Sequence, residues 1–130
     1  SAMPAAALRE KILTRAPLVV EEYRARLTDK LSKMPIEPVD PARLAQEVAL
    51  MADKCAIDEE LSRLMSHITQ LRRYLDMQGE TGKKMDFLIQ EMNRETNTIG
   101  SKCSDAAIAQ CVVDMKSEIE KLREQIQNAV

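Results

Sequence analysis

Five polar residues, Glu60, Arg63, His67, Gln70 and Tyr74, recur at i, i+3, i+7, i+10 and i+14, with Glu59 beside the first. That spacing lines them along one stripe of a helix. The stripe holds the only histidine of the chain. An imidazole moves protons near neutral pH or binds a divalent metal, and a carboxylate one or two turns away orients it or shares the ion. The same pattern also describes a solvated face carrying ordinary ion pairs.

A second set lies in "QEMNRETNTIGSK", residues 90–102. Lys83, Gln90, Arg94, Asn97 and Ser101 form an i, i+7, i+11, i+14, i+18 row, with Phe87 and Thr98 alongside and Lys84, Glu91, Glu95 and Lys102 on its flanks. Asn, Thr and Ser are mediocre helix formers that compete for their own backbone. Yet Met85, Leu88, Ile89, Met92, Thr96 and Ile99 keep the apolar spacing of an amphipathic helix. A solvated face needs neither an exposed Phe nor a band of amides and hydroxyls. A face covered by a polar partner does, because each buried polar group must be satisfied. Arg and Lys supply phosphate contacts, amides read sugar or base edges, and Glu91 and Glu95 can hold a hard cation. A helix buried on both sides in an oligomer accounts for the face equally well.

These residues need helices to position them, and the chain supplies little else. No stretch alternates with period two long enough for a strand, and the three glycines stand at 79, 82 and 100. The pattern predicts an all-α antiparallel bundle of long helices. The first covers about residues 5–33, interrupted or bent at Pro17, and keeps Val20, Tyr23, Leu27, Leu31 and Met34 on one side. A proline-rich connector, 34–41, ends with Asp40 as N-cap and Pro41 at the first helical position. The second helix runs to about Lys54. The third starts near Asp58, where "DEE" complements the macrodipole, and buries Leu61, Leu64, Met65, Ile68, Leu71 and Leu75. "QGETG" at 78–82 breaks it. The fourth runs from about Lys83 to Ile99, with Gly100 as a left-handed cap. The last carries Ile108, Val112, Met115, Ile119, Leu122 and Ile126, a coiled-coil-like seam.

The totals exclude several classes. The chain has 130 residues, 45% of them apolar and 31% charged, which fits one helix-rich domain. A net charge of −2 argues against a strong non-specific nucleic-acid binder, but not against a local basic patch beside acidic residues. The three cysteines, at 55, 103 and 111, are odd in number and lack CxxC spacing, which argues against a disulfide framework or a zinc knuckle and fits a reducing cytoplasm. No apolar run reaches membrane-spanning length. "GETGKK" (79–84) lacks the glycine spacing, hydroxyl and preceding strand of a phosphate loop, so it reads as a helix connector. Ser1-Ala2-Met3 reads as a cloning scar, which makes residues 4–130 the domain.

"GKKMDFLIQEMNRETNTIGSK" (82–102), with "LAQEVALMADKCAIDEELSRLMSH" (44–67) before it and "MKSEIEKLREQIQN" (115–128) after it, closely resembles the C-terminal half of the bacterial YicC family. "LREKILTRAPLVVEEYRARL" (8–27) resembles the segment entering that half. The match covers nearly the whole chain after the apparent scar. Residue by residue it takes in the acidic–Arg–His pattern at Glu59, Glu60, Arg63 and His67, and the pattern from Asp86 to Lys102. Cys103 stands where a small residue such as Ser is common, and "QNAV" closes the chain where an acidic residue usually follows "QN". The resemblance implies a divalent-metal-dependent endoribonuclease of the bacterial cytoplasm, using Mn2+ or Mg2+ and assembled as a ring-like homo-oligomer, a hexamer. It also implies an N-terminal domain of similar size, to which nothing here corresponds.

On that footing the expected metal ligands are Glu59, Glu60, His67, Glu91 and Glu95, with His67, Arg63, Glu91 and Arg94 as the catalytic set. Arg63 and Arg94 are expected to grip the transferring phosphate. Lys83, Lys84, Gln90, Asn97, Ser101 and Lys102 are expected to hold RNA, with Arg72 and Arg73 as further backbone contacts. With so few aromatics, RNA shape and phosphate positions are expected to matter more than stacked bases. The alternative is a non-catalytic oligomerisation and RNA-docking module, which the seam of the last helix and Phe87 would serve. A plain coiled-coil adaptor explains the heptads but not the "NRETNT" face.

Overall fold

The computed structural model describes residues 3–34, 40–77 and 81–128. They form five helices: α1 (Met3–Ser32), α2 (Pro41–Lys54), α3 (Asp58–Asp76), α4 (Gly82–Lys102) and α5 (Ala106–Asn128). Most of the 34–41 and 78–82 connectors lies outside the described residues.

Local chemistry accounts for several boundaries. The Asp40 carboxylate accepts the Ala42 N–H at 3.0 Å, with Pro41 in the first turn of α2. Asp105 plays the same part before α5, its side chain accepting the Ile108 N–H at 3.1 Å. Three carboxylates, Asp58, Glu59 and Glu60, occupy the first turn of α3.

Packing then fixes the arrangement. α3 lies on α4, α4 on α5, and α1 on α5, α3 and α2. Short links make α3/α4 and α4/α5 antiparallel. Pro4 and Lys11 of α1 share a surface groove with Asp114 and Lys121 of α5, while Arg15, further along α1, reaches back to Asp105. α1 and α5 are therefore antiparallel too. Leu64, Ile68, Leu71, Met92, Ile99, Ile108 and Met115 are fully buried; no aromatic is fully buried with them, and Tyr74 packs half-buried against the cluster. Each such side chain stabilises the fold by roughly 1.5–3 kcal/mol through burial. α2 packs on α1 and contributes one buried residue, Val48. No helix among the described residues is long and apolar enough to cross a membrane.

Three expectations are corrected. α1 runs through Pro17 without the interruption that is one of the two expectations there. The carbonyl that loses its amide partner there belongs to Leu13, on the exposed side of the helix, while Ile12, Ala16 and Val19 anchor the buried side. Gly100 does not end α4, which continues to Lys102 with Cys103 as its C-cap. A β-carbon at Gly100 would meet the Val112 methyls at 3.5 Å, so the glycine sits where α4 and α5 approach closely. Finally, Cys55 and Cys103 form a disulfide, their α-carbons 4.5 Å apart. Each caps the end of a helix, α2 and α4, and folding brings those ends together.

Arg15 ties the first and last helices. Its guanidinium bonds both Asp105 oxygens at 3.0 Å and both Glu22 oxygens at 2.8 and 2.6 Å. That bidentate contact holds the Asp105 carboxyl below its ordinary range, against partial burial and with help from the Ile108 N–H.

The position of Gly100 yields a test whose sign is diagnostic. Gly100→Ala should stabilise the fold by about 0.5–1 kcal/mol in urea unfolding, because alanine is the better helix residue and its methyl meets ordinary contact distance. A left-handed cap would respond in the opposite direction.

Candidate metal and nucleic-acid site

α3 and α4 run antiparallel, so residues one and two turns apart on each meet in reverse order. Along one edge of their interface Glu60 meets Lys102, Arg63 meets Glu95, His67 meets Glu91, and Tyr74 meets Lys84. The four α4 residues recur at i, i+7, i+11 and i+18, a single line on a helix. Their α3 partners belong to the stripe that holds the histidine. The histidine stripe thus meets the residues that flank the second row, rather than the row itself, and the two form one seam.

At its centre, one ligand atom each from His67, Glu91 and Glu95 lies within 4.8 Å of the other two. Glu95 is buried, and His67 and Glu91 are half-buried. The Arg63 Nε donates to Glu95 Oε1 at 2.9 Å. This contact raises the Arg63 pKa, chiefly through that hydrogen bond and against partial desolvation. His67 has no hydrogen-bond partner among the described residues, so its ring nitrogens are not claimed by the fold. Arg94 stands outside the cluster, largely exposed, with its Nη1 3.8 Å from Glu91.

The two remaining acidic candidates stand apart from this cluster. Glu59 points into solvent, 3.7 Å from an Arg63 nitrogen. Glu60 is 3% exposed and is held by Lys102, whose Nζ lies 2.5 Å from Oε1, with Arg63 at 3.8 Å from the same oxygen. Burial pushes the Glu60 pKa up. The Lys102 hydrogen bond, its own backbone N–H and the two cations outweigh that and leave it below the ordinary value. Its Oε2 has no hydrogen-bond partner among the described residues. Glu60 and Lys102 therefore act first on each other.

The expected RNA-contacting row is split by the fold. Gln90, Arg94, Asn97 and Ser101 are in the main exposed, about a quarter turn from the Glu91–Glu95 line. The hydroxyls that looked out of place in this helix bond backwards. Thr96 Oγ1 donates to the Met92 carbonyl at 2.7 Å, Thr98 to Arg94 at 3.0 Å, and Ser101 to Asn97 at 3.0 Å. Lys83 and Lys84 sit in the first turn of α4, beside Tyr74, Gln70 and Phe87. Sequence reasoning missed the Lys102–Glu60 lock and the Tyr74–Lys84 contact. Both stripes were visible; their mutual register was not.

Comparison with known proteins bears on what this seam does. The family model for the C-terminal part of YicC-like endoribonucleases matches residues 12–129. The probable endoribonuclease YicC of Clostridioides difficile is 54% identical over 121 residues, covering 92% of this chain and 41% of that protein. The probable endoribonuclease YicC of Haemophilus influenzae is 39% identical over 119 residues, with the same 92% and 41% coverage. The chain thus spans about two-fifths of the length of these curated relatives.

The Glu60–Lys102 lock has a measurable pH signature. Because the folded pKa of Glu60 is lowered, its stabilising effect is complete above the unfolded value of about 4.3 and disappears as pH falls through the folded value. Lys102→Met should cost about 1–2 kcal/mol at pH 7, the lower range for a charged hydrogen bond, because the ammonium is half exposed. Urea unfolding should show the gap between variant and parent closing as pH drops below about 4. A gap independent of pH would contradict this account.

Proposed function

The chain belongs to the YicC-like endoribonuclease C-terminal family, and from that membership we propose that the α3–α4 seam is the metal-holding centre of an RNA-cleaving site. The observation that carries this reading is the convergence of His67, Glu91 and Glu95 within 4.8 Å. Two carboxylates and an imidazole are a fitting donor set for a divalent ion. Oxygen ligands suit Mg2+ and Mn2+ alike, and the nitrogen ligand favours Mn2+. When bound, such an ion neutralises phosphoryl charge and acts as a Lewis acid.

The protein groups divide the remaining work. Glu95 is the fixed ligand, since Arg63 holds one of its oxygens at 2.9 Å. Arg63 is therefore a positioning residue, rather than the phosphate clamp expected from its spacing. That clamp role falls to Arg94, which is exposed beside Glu91 and free to fork onto a phosphate. His67, unclaimed by any hydrogen bond among the described residues, is the group able to carry a proton at a ring nitrogen. Lys83 and Lys84 extend positive charge along the strand. RNA is the partner, and a homo-oligomer, a hexamer by family resemblance, is the working assembly.

A second reading, an oligomerisation and RNA-docking module for chemistry elsewhere in a longer protein, is favoured by one observation. Phe87, Leu50 and Val113 leave apolar surface exposed.

RNA cleavage separates the two. With Mn2+ present, this chain or a full-length relative carrying the same residues should cleave a mixed-sequence RNA, and chelator should stop it. Glu91→Gln and His67→Ala should each lower the rate by about 100-fold or more and weaken Mn2+ binding in calorimetry. Unchanged cleavage and Mn2+ affinity in both variants would exclude the assignment.

A further inference from the structure

One turn beyond the His67–Glu91 pair, the same seam opens into a groove of about 470 Å³ lined by Gln70, Tyr74, Lys83, Lys84, Phe87 and Leu88. It contains two of the chain's three aromatic residues. Phe87, the only phenylalanine of the chain, is 59% exposed, while Tyr74 packs half-buried against the core. The Lys84 ammonium lies 5.9 Å from the centre of the Tyr74 ring, within cation–π range. Among the described residues no carboxylate lines the groove. Its surface thus offers two ring faces, one amide and two positive charges.

From this arrangement we infer that the groove is a nucleobase subsite, occupied by an unpaired ribonucleotide next to the phosphodiester that is cut. The base lies against Phe87 and Tyr74, the Gln70 amide meets its edge, and Lys83 and Lys84 hold its phosphate. The volume is of the size that small-molecule sites use. Distance supports adjacency: α4 rises about 1.5 Å per residue, so Phe87 lies about 6 Å along the axis from Glu91. That is less than two stacked-base spacings of about 3.4 Å. A base held this way has left its helix, so the site selects single-stranded or bulged RNA. Stacking thereby adds to the shape and phosphate recognition expected from the scarcity of aromatics. The word "next" rests on the reading of Glu91 and His67 as the cleavage centre. The base contact itself does not.

The test is a series of short single-stranded oligoribonucleotides, each with one abasic position, bound to this chain in chelator and followed by fluorescence anisotropy. One position should weaken binding by about tenfold when its base is removed. Phe87→Ala should weaken binding to the intact strand by a similar factor, with no further loss at that abasic position, and Phe87→Trp should restore the base dependence. Equal losses at every position, independent losses in the double combination, or no RNA binding at all would each overturn the subsite. Sedimentation of Phe87→Ala covers the rival occupant. A drop in oligomeric mass with unchanged RNA affinity would make the groove a contact between copies of the chain. Mn2+ calorimetry on the same proteins, freed of chelator, keeps the two readings separate. Base dependence in a protein that takes up no Mn2+ would remove the metal centre and leave the subsite standing. Mn2+ binding without base dependence would do the reverse.

Discussion

The antiparallel register of α3 on α4 is the constraint from which the remaining features follow. Leu61, Leu64, Ile68 and Leu71 on α3, and Met85, Leu88, Met92 and Ile99 on α4, are buried where the two helices pack. Burying those stripes leaves one way for the flanking polar residues to meet. Sliding either helix by one residue would turn its stripe by about 100° and carry Glu95 away from Arg63. The apolar contacts supply the energy, and the polar pairs read out the alignment.

Along that seam the character of the pairs changes in a regular way. At one end a buried carboxylate is closed by a lysine, and the Cys55–Cys103 disulfide joins the neighbouring helix ends. In the middle, Arg63 holds Glu95 while His67 and Glu91 keep their ligand atoms unfixed. At the other end Tyr74, Phe87 and two lysines line an open groove. The closed end resists rearrangement, because separating Glu60 from its cations would strand a desolvated charge. The open end has no such penalty and, on the proposed function, is where a strand of RNA enters. A rigid anchor beside an accessible donor set is the arrangement that a metal site needs.

Much of this was legible from residue order. The absence of period-two patterning, the four–three apolar spacing, the cap at Asp40 and the acidic first turn at Asp58 gave the helices and most of their ends, since those signals are local. The failures were also physical. Pro17 did not break α1 because the carbonyl it orphans faces outward. Gly100 did not cap α4 because the helix continues through it to Lys102, packed beside Val112, a residue on another helix. Neither outcome can be seen within a window of a few residues. The disulfide was hidden for the same reason, its cysteines lying 48 positions apart.

For the candidate site the division is sharper. Composition and spacing alone determined that Glu59, Glu60, Arg63 and His67 share one helical stripe, that Glu91 and Glu95 belong to another, and that both are chemically capable of holding a cation. Only the tertiary structure decided which acids act together. Glu60 and Glu95 are both buried glutamates near an arginine, and nothing in their local sequence distinguishes them. Packing gives Glu60 a lysine from the far end of α4 and gives Glu95 an arginine Nε with a histidine and a second carboxylate beside it. Periodicity assigns a residue to a face of its own helix; the partner of that face is set by long-range burial of apolar surface, which one-dimensional spacing does not encode.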